Sequence, residues 1–210
     1  MIRVLIADDH AIVREGLKQI VADTRDIIVA GEAKDGREAL DMVSKNNYDV
    51  VLLDISMPGM SGLDVLKQLR SQKPLLRILI LSIYPEEQYA VRTLKAGASG
   101  YLTKESAPDE LVAAIRKVSS GGNYISRSLG EKLVSNLRKN DSEQPHEALS
   151  DREFQVMRMI ASGKKGKEIA EELLLSVKTV STYRRRVLDK LGIKNNSALI
   201  RYAMQNRLLE

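Results

Sequence analysis

Apolar residues follow two alternating rhythms over the first 120 positions of the chain. Short unbroken runs occur at Val4-Leu5-Ile6-Ala7, Ile27-Ile28-Val29-Ala30, Val50-Val51-Leu52-Leu53 and Ile78-Leu79-Ile80-Leu81, with a briefer Gly100-Tyr101-Leu102. Between them, near 11–23, 35–46, 62–71, 86–96 and 108–119, apolar residues return every three or four positions. An unbroken run predicts a strand covered on both faces, and a period near 3.6 predicts an amphipathic helix. Five strand–helix repeats predict an α/β fold, a doubly wound five-stranded parallel sheet with right-handed crossovers. Such a sheet binds ligands beyond the carboxyl ends of its strands, where the strand order reverses.

The rhythm changes after Ser119. Ser120-Gly121-Gly122 interrupts it, Leu129, Leu133 and Leu137 then suggest one lone helix, and residues 140–145 have linker composition. A new pattern starts at Ser150-Asp151-Arg152-Glu153, a capping box in which the Ser hydroxyl and the Glu carboxylate each accept a backbone N–H, with Leu149 and Phe154 placed to staple the turn. Helices are predicted at 151–161, 167–174, 177–191 and 196–206, with Gly163 and Gly192 ending the first and third. The reading is thus an α/β domain over 1–120, a linker with a helix over 121–145, and a small all-α four-helix domain containing a helix-turn-helix over 146–210.

Charge distinguishes the two domains. The chain has 33 basic and 28 acidic residues among 210, a formal excess of +5. Residues 1–145 hold 20 of each sign, so the surplus lies in 146–210 with 13 basic against 8 acidic. A basic tail suits a polyanionic partner. There is no cysteine, which excludes disulfides and thiol chemistry, and the two histidines, His10 and His146, leave little scope for a His-rich metal site. No apolar run reaches the ~18 residues of a membrane span, and the amino terminus lacks a signal pattern. The expectation is a cytoplasmic protein without a membrane partner.

Asp8 and Asp9 follow the first strand, and Asp54 closes the third. With those strands side by side, the three carboxylates converge, and they repel unless a cation compensates. Oxygen-only ligands suit Mg²⁺. Ser82 ends the fourth strand and Lys104 follows the fifth, bringing a hydroxyl and an ammonium to the same crevice. A carboxylate nucleophile, a metal and two ligands for phosphate oxygens are what phosphoryl transfer to Asp requires.

These residues, with Met57-Pro58 and Gly62, make the chain resemble the receiver domain of two-component response regulators over about 1–120. The resemblance implies a flavodoxin-like sheet and a phosphoryl group passed from a histidine kinase to Asp54. It implies Mg²⁺ held by Asp9, Asp54 and the carbonyl of Ser56, with Asp8 acting through water. Ser82 and Lys104 then hold phosphoryl oxygens, and Tyr101 matches the aromatic switch residue, its ring filling space vacated when Ser82 moves toward new charge on Asp54. The chain departs from the pattern after the lysine, where Glu105 replaces a proline whose peptide bond is often cis; the sequence leaves that bond's isomer open.

In the 177–191 helix, Val180, Tyr183, Val187 and Leu191 form one apolar stripe, while Lys178, Ser181, Thr182 and Arg185 line the opposite side. That outer face is cationic and hydrogen-bonding, suited to the DNA major groove, and Arg184, Arg186 and Lys190 flank it where phosphates would lie. Together with Leu149-Ser150, Arg152-Glu153, Ile169-Ala170, Leu175-Ser176, Lys178-Thr179-Val180 and Lys190-Leu191-Gly192, these features are similar to the LuxR-type DNA-binding domain over about 146–210. The whole chain thereby resembles the NarL/FixJ subfamily of response regulators. This implies groove contacts from Ser181, Thr182 and Arg185, backbone contacts from Lys178 and Thr179, and a homodimer on promoter DNA through Ser197–Met204, within the predicted 196–206 helix, or through the receiver. Gly166 stands where the subfamily commonly has Asn or Thr as a helix cap.

Two other readings stay open on sequence alone. A Mg²⁺-dependent phosphatase with Asp54 as nucleophile would need a second acid two residues on, and Ser56 stands there. A phosphorylation-independent DNA binder would keep the receiver for dimerisation, a reading that the intact acidic set disfavours. The favoured expectation is therefore a phosphorylation-controlled transcription regulator, not an enzyme acting on external substrates.

Overall fold

The computed structural model describes residues 1–106, 108–126, 129–130, 144–206 and 208–209, apart from the side chains at 87 and 88. Two compact units divide the chain, Met1–Ser135 and Asn136–Glu210. Leu133 and Leu137 of the expected lone helix, and linker positions 140–143, lie outside the described residues.

In the first unit, β1 (Ile2–Ala7), β2 (Ile27–Ala33), β3 (Val50–Leu53), β4 (Arg77–Ser82) and β5 (Gly100–Thr103) alternate with α1 (Ala11–Ala22), α2 (Gly36–Lys45), α3 (Gly62–Gln72), α4 (Glu86–Lys95) and α5 (Pro108–Ser119). The strands form one sheet in the order β2-β1-β3-β4-β5, every pair parallel. The unbroken runs form strands because both faces are covered. Val4, Ile6, Val50, Leu52, Leu79 and Leu81 meet Leu17 and Val21 of α1 and Leu111, Ile115 and Val118 of α5. Leu5, Val51, Ile78 and Ile80 alternate with them along the strands and are also fully buried. Each buried aliphatic side chain contributes about 1.5–3 kcal/mol relative to exposure. The order reverses between β1 and β3, the place at which this architecture forms its crevice.

Beyond α5 the chain returns to the sheet. Tyr124 forms an isolated parallel bridge with Gly100, and its backbone N–H donates to the Ser99 carbonyl at 2.8 Å. Its hydroxyl donates to Glu110 Oε1 at 2.9 Å, and the Lys117 ammonium lies 5.8 Å from the ring centroid. Burial and the Glu110 carboxylate push the phenol up to about 12. The approach requires glycine at 100, since a Cβ there would stand 2.6 Å from the Tyr124 carbonyl oxygen.

The second unit comprises a short 3₁₀ turn (Pro145–Ala148), α6 (Asp151–Ala161), α7 (Gly166–Glu172), α8 (Val177–Leu191) and α9 (Asn196–Gln205). The predicted capping box forms at Ser150 and Glu153. Gly166 opens α7 without a side-chain cap on the preceding residue; the Glu168 carboxylate accepts the Lys165 backbone N–H at 2.7 Å instead. The helix predicted to reach 174 stops at Glu172, because Leu174 turns the chain with a φ of 52°. Phe154, Met157, Ile169, Val180, Val187 and Leu199 are buried within this unit. Among the described residues, no helix is long and apolar enough to cross a membrane.

Candidate functional site

The ends of β1, β3, β4 and β5 bring the predicted chemistry together. Adjacent strands place Asp8 and Asp54 one residue past β1 and β3, and both are 2 % exposed. The Asp54 backbone N–H donates to Ala7, which fixes the two strand ends against each other. The Lys104 ammonium lies 2.8 Å from Asp54 Oδ2 and 2.7 Å from Asp8 Oδ2, and its backbone N–H donates to Ser82. Asp54 Oδ1 accepts the Ser56 N–H at 3.2 Å. The peptide bond joining Lys104 to Glu105 is trans.

Electrostatics follow from burial. Desolvation raises the Asp54 carboxyl above its ordinary range, with Asp8 adding to the rise and Lys104 opposing it. Burial pulls the Lys104 ammonium down, but Asp54 and Asp8 outweigh it and hold the group above its ordinary value. One ammonium therefore serves two buried carboxylates. Among the described residues, the buried side-chain oxygens and nitrogens without a hydrogen-bond partner are Asp8 Oδ2, Asp9 Oδ1 and Ser56 Oγ, all from this crevice. Asp8 Oδ2 has the Lys104 ammonium 2.7 Å away, which leaves Asp9 Oδ1 and Ser56 Oγ as the atoms with no close donor of this kind. Buried acceptors without donors are costly, and a hard cation is the partner that carboxylate oxygens fit.

Ligand atoms of Asp8, Asp9, His10 and Asp54 all lie within 4.8 Å of one another. His10 was not among the sequence candidates. Its position directly after the two aspartates was the available signal. Arg14, which no sequence pattern marks, braces the acidic turn: its guanidinium donates to the Asp8 carbonyl at 2.8 Å and pairs with Glu32.

Ser82 is fully buried and accepts the Tyr84 N–H at 3.2 Å. Tyr101 is fully buried as well, its hydroxyl donating to the Tyr84 carbonyl at 2.7 Å, and Tyr84 stacks on Tyr89 with centroids 5.0 Å apart. The serine and the tyrosine thus meet through one residue, Tyr84.

In the second unit, Val180 and Val187 of α8 are buried, as the stripe requires, and Leu188 joins them, while Tyr183 and Leu191 are half-buried. Lys178, Ser181, Arg185 and Arg186 are exposed, and Thr182 is half-buried with its hydroxyl donating to the Lys178 carbonyl. Ser176 caps the helix, accepting the Thr179 N–H at 3.0 Å and sharing a 2.8 Å hydroxyl contact with it. Two cations have partners inside the unit. Arg184 donates to Asn196 Oδ1 at 2.6 Å, and Lys190 donates to Glu153 Oε2 at 2.7 Å and to Ala148 O at 3.3 Å. Burial pushes the Glu153 carboxyl up, but Lys190 and Ser150 pull it below its ordinary range. Lys190→Ala is expected to destabilise the unit by about 1 kcal/mol in urea unfolding, because Glu153 then keeps its cap but loses its counter-charge.

Comparison with known proteins matches both units. Residues 4–116 match the response regulator receiver domain, and residues 147–203 match the bacterial regulatory proteins of the luxR family. The chain is 40 % identical over 209 residues to the response regulator UvrY of Escherichia coli K12, covering 99 % of this chain and 96 % of that protein. It is 38 % identical to the oxygen regulatory protein NreC of Staphylococcus aureus JH9, covering 99 % of each. The structure of RcsB from Salmonella enterica serovar Typhimurium bound to the rprA promoter with phosphomimetic BeF3⁻ matches at a TM-score of 0.65 and 27 % identity, covering 97 % of this chain and 99 % of that one. A buried acidic crevice on a β2-β1-β3-β4-β5 sheet, a helix-turn-helix unit after it and relatives alike over nearly their whole length lead to one assignment: the chain belongs to the NarL/FixJ family of response regulators, transcription regulators with a receiver domain and a LuxR-type DNA-binding domain.

Proposed function

We propose that Asp54 accepts a phosphoryl group from a phosphohistidine of a cognate kinase and that this controls binding of promoter DNA by α8. The observation that carries the reading is the pair of buried carboxylates, Asp8 and Asp54, sharing the Lys104 ammonium beside Asp9 Oδ1, a buried oxygen without a hydrogen-bond partner. An Asp54 oxygen attacks phosphorus, the P–N bond to the donor imidazole breaks, and the imidazole leaves with its proton. Mg²⁺ held by Asp9, Asp54 and the Ser56 carbonyl, with Asp8 behind it, would neutralise the carboxylates and the phosphoryl oxygens. Lys104 is placed to leave Asp54 for a phosphoryl oxygen while keeping its contact with Asp8. The Ser82 hydroxyl turns to a second oxygen, and the coupled Tyr84–Tyr101 contact carries the change toward α4. The chemistry is confined to this self-phosphorylation and its reversal.

On DNA, Ser181, Thr182 and Arg185 face the groove, Lys178 and Thr179 the phosphate backbone, and Arg184 and Arg186 the flanking phosphates. Lys190 contributes at most a share of its charge beyond Glu153. A homodimer forms through the exposed face Ser197, Arg201 and Met204 of α9, spaced to lie on one side of the helix, or through the receiver. The setting is the cytoplasm.

The test is selection of bound duplexes from random sequence, with and without acetyl phosphate and Mg²⁺, followed by affinity measurement for the full chain. Phosphorylation is expected to enrich two-half-site sequences. Arg185→Ala is expected to weaken binding by about 1–3 kcal/mol and relax sequence preference at one position. Unchanged affinity and preference in Arg185→Ala would move the recognition face elsewhere.

A further inference from the structure

Resting on the reading of Asp54 as the phosphoacceptor, we infer that the hydrogen bond from Ser126 to Glu86 is a latch. Through it the state of Asp54 sets the receiver's hold on the chain segment that leads to the DNA-binding domain. The Ser126 hydroxyl donates to Glu86 Oε2 and accepts the Leu129 N–H at 3.1 Å, and the Ser126 carbonyl accepts the Gly130 N–H at 3.0 Å. Ser126 thus caps a turn of the leaving segment and fastens that turn to the first residue of α4. Leu129, in the same turn, is 1 % exposed.

A short run, Ser82-Ile83-Tyr84-Pro85-Glu86, joins the latch to the crevice. The Tyr84 N–H donates to Ser82 Oγ, and the Tyr84 carbonyl accepts the Tyr101 hydroxyl. Pro85, the N-cap residue of α4, stands between Tyr84 and Glu86 with a φ of −57°. A proline ring fixes its own φ and restricts the residue before it, so a shift of Tyr84 passes to Glu86 instead of being absorbed between them. When Ser82 turns to a phosphoryl oxygen it pulls on Tyr84, and Glu86 is drawn from Ser126. The leaving segment has a second anchorage outside this run. Tyr124 bridges to Gly100, donates its N–H to the Ser99 carbonyl and donates its hydroxyl to Glu110 of α5. Tyr124 is therefore the pivot and Ser126 the releasable end, so opening the latch frees the chain from Ser126 onward and leaves β5 covered. A hydrogen bond to a charged partner changes a local opening equilibrium by about tenfold or more, which is enough for a switch.

Amide hydrogen exchange in the full chain, resolved by nuclear magnetic resonance with and without excess acetyl phosphate and Mg²⁺, tests the latch, while intact mass counts phosphoryl groups. Phosphorylation is expected to speed exchange at Leu129 and Gly130 about tenfold and to leave Tyr124 within about twofold. Glu86→Ala leaves the crevice residues and the Ser126 hydroxyl in place. It is expected to show the faster exchange without phosphorylation, to gain nothing further from it, and to take up the phosphoryl group at the parent's rate. Glu86→Gln, which keeps an acceptor without the charge, should fall between the two. The effect of phosphorylation on affinity for a duplex enriched by selection should shrink in Glu86→Ala. A merely structural role for Glu86 would speed exchange by one factor in both states and keep the full response to phosphorylation. That result overturns the inference, as does unchanged exchange in a parent chain that carries a phosphoryl group, and both leave the Asp54 reading intact. A parent chain that takes up no phosphoryl group brings down the reading itself, and the latch with it.

Discussion

Asp54→Asn is expected to take up no phosphoryl group from acetyl phosphate and Mg²⁺, and to melt at a higher temperature than the parent chain at neutral pH. The first outcome follows from removing the oxygen proposed as the nucleophile. The second follows from burial. The folded Asp54 carboxyl titrates above its ordinary 3.8, so protonated Asp54 favours the fold, and that contribution is lost as pH rises through the folded value. At neutrality the buried charge is a net cost, only partly offset by Lys104, and Asn is expected to relieve about 1 kcal/mol. The gain should shrink as pH falls toward the carboxylate range, where the parent's Asp54 is itself neutral. Intact-mass measurement after acetyl phosphate treatment, with thermal melts at two pH values, checks both. A label retained in Asp54→Asn would move the phosphoacceptor, and a lower melting temperature at neutrality would show that Lys104 outweighs burial.

Gly62→Ala is expected to cost about 3 kcal/mol or more of receiver stability. Gly62 opens α3 beneath Asp54, where a Cβ would stand 1.9 Å from the Asp54 carbonyl oxygen and 2.9 Å from the Ile55 Cα. Both neighbours are backbone, so no side chain can swing aside. Either α3 shifts or the 3.0 Å hydrogen bond from the Gly62 N–H to Ile55 O breaks, and each moves Asp54. A displacement near 1 Å at a reacting group costs on the order of 10² in rate, so phosphoryl uptake should slow by about that factor. Denaturant unfolding and uptake kinetics measure the two effects. Gly16→Ala, on α1 with open space around its Cβ position, is the control and should be neutral or slightly stabilising. Parent-like stability and uptake in Gly62→Ala would mean that the loop yields without cost.

The elements that were legible from sequence are those whose causes are local. The runs of β1, β3 and β4 could be read because a strand covered on both faces has no polar position to hide. β2 outruns its apolar stretch, continuing through Gly31 and Glu32 to Ala33, because β1 pairs with residues that no hydropathy pattern marks. Asp8, Asp9, Asp54, Ser82 and Lys104 could be placed from their positions at strand ends, but not the division of one ammonium between Asp8 and Asp54, which depends on side-chain reach. Lys190 reads as a flanking cation of α8, yet it pairs with Glu153, 37 positions earlier. Leu174 gave no sign that it would turn the chain, since only its backbone does so. His10 belongs to no spacing pattern of its own, yet the turn that carries Asp8 and Asp9 carries it too.

The return of Tyr124 to the sheet bears on how molecules of this protein avoid one another. β2 and β5 are the two edges of the sheet, and an unprotected edge is a template for strand addition by a second copy. At β5, a second copy would have to displace the Gly100–Tyr124 bridge and the phenol anchored on Glu110. At β2, the ladder breaks register between Val4 and Leu5, an irregularity that spoils the flat surface such growth needs. Each edge thus carries an obstacle to aggregation, and one of the two is supplied by the chain segment that leaves the receiver.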